Sequence, residues 1–256
     1  MSRTGFRPAV LPLLLVLTML TGCALLPHGT QDDVRDPFER GNRAVFKFNQ
    51  NLDHAVARPA ARAYRRIVPR PIRTGLGNML SNAAYPRVVI SQLLQGKLAE
   101  TGSDTGRLLV NSIMGIGGLF DVATDMGLDR HDEDFGQVLG KWGMPSGPYL
   151  MLPVLGPSSV RDAFGKIPDQ LTNATHYIDD SATRYGVTAF RLLNDRANLL
   201  EGDALLDRAA EQYTFVRSAW LQHREYEVRD GNVASKPGDF EDPEPDTPES
   251  AEPPKP

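Results

Sequence analysis

The chain has 256 residues, with 28 lysines and arginines against 32 aspartates and glutamates, 41% hydrophobic residues and one cysteine. That length suits a single domain with a core of its own, and a lone cysteine excludes an internal disulfide framework. The charge balance is close to neutral and carries no base-stacking motif, which speaks against a nucleic-acid partner.

At the N-terminus, Arg3 and Arg7 precede an apolar run from Val10 to Leu20, followed at once by Thr21-Gly22-Cys23. A basic end, a short apolar core and small residues before a cut describe a secretory signal, and the run is too short to serve as a spanning anchor. The ending resembles a bacterial lipobox, which makes residues 1–22 a cleaved signal peptide and Cys23 the acylated N-terminus. Three acyl chains exceed the two needed for stable anchoring. The residue after it is Ala24 rather than the aspartate that retains some lipoproteins at the inner membrane, so the resemblance implies the outer membrane. Residues 23–35 then read as a lipidated linker, 36–229 as the helical domain, and 230–256 as a tail. That tail holds eight acids and many prolines, a composition that cannot offset the entropy of ordering.

Within the domain, Asp36-Pro37-Phe38-Glu39 reads as a helix start, with Asp36 as the cap. Asn42 to His54 follows as an amphipathic helix with Val45, Phe48 and Leu52 on one face and Phe46 on its flank. From His54 to Ala99 there are eight basic residues and no acid. Arg58, Arg62, Arg65 and Arg66 recur at helical spacing, and Pro69 and Pro71 stop that helix. Such a stripe fits phospholipid headgroups or an acidic protein, or a solvated face paired with acids elsewhere. Val88 to Leu94 and Leu108 to Met114 are apolar helical segments. The second continues uncharged through Gly115-Ile116-Gly117-Gly118 to Phe120, fitting either a core helix or a segment that dips into one leaflet. Asp129 to Asp134 reads as a solvated acidic turn.

From Trp142 to Val160 no side chain is charged, yet four prolines and three glycines break the stretch. A straight spanning helix is impossible there. Bent, apolar backbone is tolerated at membrane depth only where protein packs it or water fills a cavity beside it, so the stretch suggests the lip of a pore or groove. A surface loop of ordinary turns is the alternative. Tyr185 to Leu200 and Leu205 to Arg229 read as two further amphipathic helices. Alternating β patterns are absent, so the expectation is all-α.

Catalytic and metal patterns fail. The five histidines form no paired-ligand spacing, Asp129 to Asp134 does not fit a calcium loop, and Gly115 to Gly118 lacks the Lys-Ser/Thr of a phosphate loop. Gly156-Pro157-Ser158-Ser159-Val160 begins like a nucleophile elbow but lacks the closing glycine. No cofactor, metal or catalytic residue is expected.

The ordered set Asp36-Pro37-Phe38-Glu39, Asn42-Arg43, Phe48-Asn49, Leu94-Gln95-Gly96, Arg107 with Asn111, Gly117 to Ala123, Asp134-Phe135-Gly136-Gln137, Leu139-Gly140, Trp142-Gly143, Gly147-Pro148-Tyr149, Leu152-Pro153 and Gly156 to Asp162 resembles the MlaA/VacJ family of outer-membrane phospholipid-trafficking lipoproteins. Arg40-Gly41 and Glu211-Gln212-Tyr213 depart from the family's pattern. The resemblance implies a single ring-like bundle of amphipathic helices embedded in one membrane leaflet, with a Gly/Pro-rich hairpin loop beside a central channel. It implies that misplaced phospholipids leave the outer leaflet through that channel and pass to a periplasmic lipid carrier, with a trimeric porin alongside. The gating loop then maps to Phe135 through Pro153, including Trp142, Pro148 and Tyr149, with Gly136, Gly140, Gly143 and Gly147 as hinges. Arg161, Asp162 and Asp169 become candidate channel lining, and Phe38, Phe46, Phe48, Leu119 and Phe120 become membrane-facing anchors. A lipoprotein hydrolase using Ser158, and a lipoprotein that merely braces porins, stand as alternatives.

Overall fold

The structure, a computed structural model, describes residues 36–232; Cys23, the signal segment and nearly all of the tail lie outside them. The described chain is helical apart from one two-stranded hairpin. Helix α1 (Glu39–Leu52) runs into a π-helical turn (Asp53–Ala57) and then α2 (Arg58–Ile67). Pro59 explains the π turn: it has no N–H and its ring would strike the carbonyl four residues back, so the ladder widens and Arg58 N–H bonds the Asp53 carbonyl instead. After Val68 and Pro69 come α3 (Arg70–Ala84), α4 (Pro86–Gln95) and α5 (Leu98–Ile113). Gly96, with φ of 78°, ends α4 in the left-handed conformation that glycine tolerates.

The next elements are the short α6 (Val122–Asp125) and α7 (Phe135–Lys141), then strands β1 (Tyr149–Leu152) and β2 (Gly156–Ser159). They pair antiparallel with Tyr149 opposite Ser159 and Leu152 opposite Gly156. Helix α8 (Val160–Thr172) leaves the hairpin directly, capped by Ser159, whose Oγ accepts from Asp162 N–H. Helices α9 (Ser181–Leu199), α10 (Asp203–Arg208) and α11 (Gln212–Val228) complete the order. Neighbouring elements contact one another in a closed circuit: α1, α2, α9, α3, α4, α7, α11, the hairpin, and α1 again. No described helix is long and apolar enough to cross a membrane.

Several expectations change. The hairpin was hidden from the alternation rule because both strands are four residues long and β2 reads Gly-Pro-Ser-Ser, with no apolar alternation to find. The expected single helix from Leu205 to Arg229 breaks at Ala209 to Glu211, where the backbone is extended and Glu211 pairs with Arg43 at 2.5 Å. Asp36 caps nothing: the N-cap of α1 is Phe38, and the Asp36 carboxylate is buried under Asn42, Tyr213 and Arg217. The Asp129–Asp134 stretch is not merely solvated, since Glu133 is buried and bonded by Lys97 and Gln95.

Two small apolar clusters hold the circuit. One gathers Tyr149, Met151 and Tyr213 with Val45, Phe46, Trp220 and Leu221 around edge-to-face rings. The other gathers Ala61, Tyr64 and Ala197 with Phe190 and Leu193. The more telling pattern runs the other way. Asn42, Gln92, Asp104, Arg107, Gln137, Asp162, Asn194 and Arg224 are buried, while Ile67, Ile72, Ile113, Met114, Phe120, Phe164, Ile167 and Leu171 are exposed. A fold built for water alone keeps most of its large aliphatic residues inside and its charges out. This one is partly inverted.

A clasped hairpin and an arginine-lined cavity

The hairpin is fixed along both edges. β2 satisfies one edge of β1; asparagines of α1 satisfy the other. Asn42 Nδ2 donates to the Tyr149 carbonyl at 3.0 Å and its Oδ1 accepts from Met151 N–H at 2.8 Å. Two helical turns on, Asn49 Nδ2 donates to Leu152 O at 2.9 Å and its Oδ1 accepts from Val154 N–H at 2.8 Å. The seven-residue spacing puts both amides on one helix face, where Asn42 replaces a missing ladder partner on β1 and Asn49 holds the turn at its end. At the tip, Leu155 N–H bonds Pro153 O, and Val154 holds φ of 66°, strained for a β-branched residue. Val154 and Leu155 are exposed.

The base of the loop is an ion cluster. Arg224 of α11 donates to Asp134 at 2.6 Å and to Asp162 at 2.9 Å, while Arg161 also reaches Asp162 at 3.1 Å. Burial alone would raise the Asp134 and Asp162 carboxyls, but the Arg224 guanidinium holds both below the usual carboxylate range. Helices α7 and α8 approach so closely that glycine is required at the crossing. A Cβ on Gly136 would meet Arg224 Nη2 at 2.5 Å, and one on Gly165 would meet Gly136 Cα at 2.9 Å. Phe135 N–H donates to Asp169 Oδ1 at 3.1 Å, and burial, aided by Asp134, pushes Asp169 up to about 6.

These contacts divide the expected loop. Phe135 to Lys141 is helix, and Gly136 and Gly140 are close-approach positions rather than hinges; a Cβ on Gly140 would meet Val228 at 2.7 Å. Tyr149 is fully buried, and the Pro148 carbonyl bonds Val160 N–H at 3.1 Å. What is left less constrained is Trp142 to Gly147. Gly143 and Gly147 hold φ of 91° and 69°, with nothing near a Cβ at Gly143. Trp142 is 61% exposed and its indole N–H donates to Leu94 O at 3.1 Å, the tether between this segment and α4.

Arg161, Asp162 and Asp169 bind the loop base together, and none of them borders the arginine-lined cavity. A cavity of about 760 Å³ is bounded by α2, α3, the start of α4, residues 130–132 and α9. Six arginines reach it, Arg65, Arg70, Arg73, Arg87, Arg130 and Arg191, with Asp132, Asp195 and Glu201 among the acids. Three pairs form across its wall: Arg87–Asp132 at 2.6 Å, Arg65–Glu201 at 3.1 Å and Arg191–Asp195 at 3.8 Å. His131, also lining it, bonds the buried Asp104, which gathers Tyr85 and Gln92 as well. Composition had marked the arginine run from Arg58 to Arg87; only the fold brings Arg130 and Arg191 to the same cavity. Sequence reasoning missed these two because they stand far from the run, each beside an acid that made it look like an ordinary surface charge.

Of the candidate membrane anchors, Phe38, Phe48 and Phe120 are exposed. Phe46 instead stacks on Tyr213 with ring centres 5.7 Å apart, and Leu119 is half-buried against Gly75. Phe120 closes a turn held by Arg107 and Asn111 on Asp121, in which Ile116 holds φ of 54° and its side chain is exposed. Ser158, the basis of a hydrolase reading, is fully buried with its Oγ on the Ser159 carbonyl at 3.4 Å, out of any substrate's reach.

Residues 34–227 match the family described as MlaA lipoprotein. The chain is 35% identical to the "Intermembrane phospholipid transport system lipoprotein MlaA" of Shigella flexneri, over 84% of this chain and 87% of that protein. It is 31% identical to the protein of the same name from Haemophilus influenzae, over 88% and 92% of the two. A solved structure described as "Structural basis for maintenance of bacterial outer membrane lipid asymmetry" superposes with a TM-score of 0.69 at 34% identity, covering 75% of this chain and 98% of that one.

Proposed function

Because this chain belongs to the MlaA lipoprotein family, we propose that it is an outer-membrane lipoprotein that removes misplaced phospholipids from the outer leaflet and passes them to a periplasmic carrier. The reading has Cys23 acylated, the helical body seated in the inner leaflet, and a trimeric porin beside it. The observation that supports it best is the inverted surface: aliphatic and aromatic side chains outside, and an arginine-lined cavity within the circuit of helices. The relatives' names, which specify phospholipid transport, agree with it.

The physical argument needs no covalent step. A phospholipid resists crossing a bilayer because its charged headgroup would leave water. A polar cavity whose outer rim is apolar lets the headgroup stay solvated while the tails stay in hydrocarbon. Phe38, Phe48, Phe120, Ile113 and Ile116 would meet the acyl chains, and the arginines would meet the phosphate. Gating belongs to Trp142 through Gly147, since the flanking helix and hairpin are clasped. The Trp142–Leu94 hydrogen bond is the contact whose breaking would let that segment move.

The test is outer-leaflet phospholipid in a strain lacking the protein, measured by surface labelling. It should rise, fall back on complementation with the parent chain, and stay high with Cys23→Ala. If deletion leaves the outer leaflet unchanged, the transport reading is wrong.

A further inference from the structure

We propose that the cavity selects anionic phosphodiester headgroups of the phosphoglycerol class over zwitterionic ones, through Arg70, Arg73 and Arg130. This rests on reading the cavity as a phospholipid site. Of the six arginines lining it, Arg65, Arg87 and Arg191 have carboxylate partners. Arg70, Arg73 and Arg130 have none among the described residues. Arg73 Nε donates to the Val68 carbonyl at 3.1 Å and Arg130 Nη2 reaches Ser81 Oγ at 3.4 Å, which leaves most donors of both forks open.

Two features say that these charges are there for a ligand. Arg70 and Arg73 occupy the first turn of the 15-residue α3, where the helix dipole already favours anions and a cation is unfavourable. No side chain caps that end. The fold therefore tolerates unpaired positive charge at the helix terminus that would most welcome a negative group. Arg130, from outside the helices, lines the same cavity and reaches Ser81 on α3. Together they present three guanidinium forks suited to phosphate oxygens.

The preference between headgroups follows from what is left to pair. A zwitterionic headgroup brings an ammonium as well as a phosphate. Asp132 and Glu201 are bonded by Arg87 and Arg65, and Asp195 lies 3.8 Å from Arg191, so six arginines face three acids and an ammonium would enter a site with surplus positive charge. A phosphoglycerol headgroup brings the anion alone, with hydroxyls that Asn78 and Ser81 on α3 and Asn198 on α9, all lining the cavity, can bond. The same forks would accept inorganic phosphate, so the experiment separates the two sources.

The full acylated chain is placed in nanodiscs holding equal amounts of phosphatidylglycerol and phosphatidylethanolamine with matched acyl chains. It is then withdrawn in mild detergent, and bound lipid is quantified by mass spectrometry. Phosphatidylglycerol should be enriched about tenfold, the worth of one charge-assisted hydrogen bond. The triple variant Arg70→Gln, Arg73→Gln, Arg130→Gln should bring the ratio back to that of the membrane. A charge-matched control, Arg40→Gln, Arg208→Gln, Arg229→Gln, alters exposed arginines away from the cavity and should keep the enrichment. If the triple variant does not fold, the three single variants are read in the same way, each lowering the ratio. Lipid held at the membrane ratio by the parent chain, or enrichment that survives the substitutions, overturns the selectivity while leaving a lipid site in place. Loss of enrichment in the charge-matched control also overturns it, because general surface charge would then be the cause. Displacement of the lipid by millimolar inorganic phosphate assigns the forks to a soluble anion and overturns it too. No bound lipid of either kind counts against the underlying transport reading.

Discussion

Arg224 and Arg70 carry the same charge about one domain-length apart in sequence, and the fold treats them in opposite ways. Arg224 is buried, with Asp134 and Asp162 on its fork and Glu227 beside it, and these charges raise its pKa further against the pull of burial. Arg70 lines open space with no acid near it. Around the hairpin, the carboxylates are matched to arginines and the β1 backbone to asparagine side chains, with the buried Tyr149 hydroxyl and Arg224 Nε as the exceptions. Around the cavity, matching stops halfway. The first arrangement is what rigidity requires, since an unpaired charge in a dry site is costly. The second leaves interaction energy for something that arrives from outside. Arginine alone therefore does not mark a binding site; the proposed one is a set of arginines left without carboxylates around a shared cavity.

The largest effect should come from breaking the matched side. Arg224→Met keeps most of the side-chain volume but takes the cation from Asp134 and leaves Arg161 as the cation on the buried Asp162, and removing one partner from such a cluster typically costs about 3–5 kcal/mol. Urea unfolding of the full chain should show a loss of that order. Arg70→Gln, by the same measurement, should stay within about 0.5 kcal/mol of the parent, as surface changes without partners do. Equal losses at both positions would erase the distinction between clamp and cavity.

How much of this was legible beforehand differs between the two regions. The broken, uncharged stretch after Trp142 stood out in the sequence, because prolines and glycines forbid a helix whatever the fold. Its clasp did not. Asn42 and Asn49 lie more than a hundred residues from the strand they bond, and nothing local tells an asparagine that replaces a strand from one in solvent. Asp36 misled for a related reason: Asp before Pro is a good cap by propensity, yet a buried tyrosine and an arginine from the far end of the chain took its carboxylate instead. Arg161, Asp162 and Asp169 were placed in the channel because they follow the loop. Charged residues next to an apolar stretch are as often its fasteners, and here burial and pairing make them so.

A smaller effect should separate the regions by how tightly they are packed. Gly136→Ala puts a methyl group into the Asp162 and Arg224 contact, where the clamp cannot yield without losing hydrogen bonds, and should cost about 1–3 kcal/mol. Gly77→Ala, on the cavity side of α3, meets only the Asn194 side-chain amide at 3.1 Å. There the gain in helix propensity, up to about 1 kcal/mol, offsets a small shift. Thermal melts of the two variants should diverge, with Gly77→Ala close to the parent. A similar drop in both would mean that the cavity wall is as unforgiving as the loop base.

The smallest expected effect tests a carboxylate at the loop base that lacks a cation. Asp169 accepts from Phe135 N–H but has no cation on it. Burial and the neighbouring Asp134 raise it to about 6. In the unfolded chain it titrates near 3.8, so between those values the folded protein holds a proton that the unfolded chain has lost. Stability should therefore fall as pH rises from about 4 to about 6 and level off above. Asp134 and Asp162 act with the opposite sign and in a different window: their lowered pKa values make stability fall only as pH drops below about 4. Asp169→Asn keeps an acceptor for Phe135 N–H and removes the charge. Its melting temperature should rise by a few degrees at pH 7.5, with the decline between pH 4 and 6 abolished and the acid limb retained. If the decline persists in that variant, the titrating group lies elsewhere, and the loop base is as fully compensated as the arginine cluster beside it.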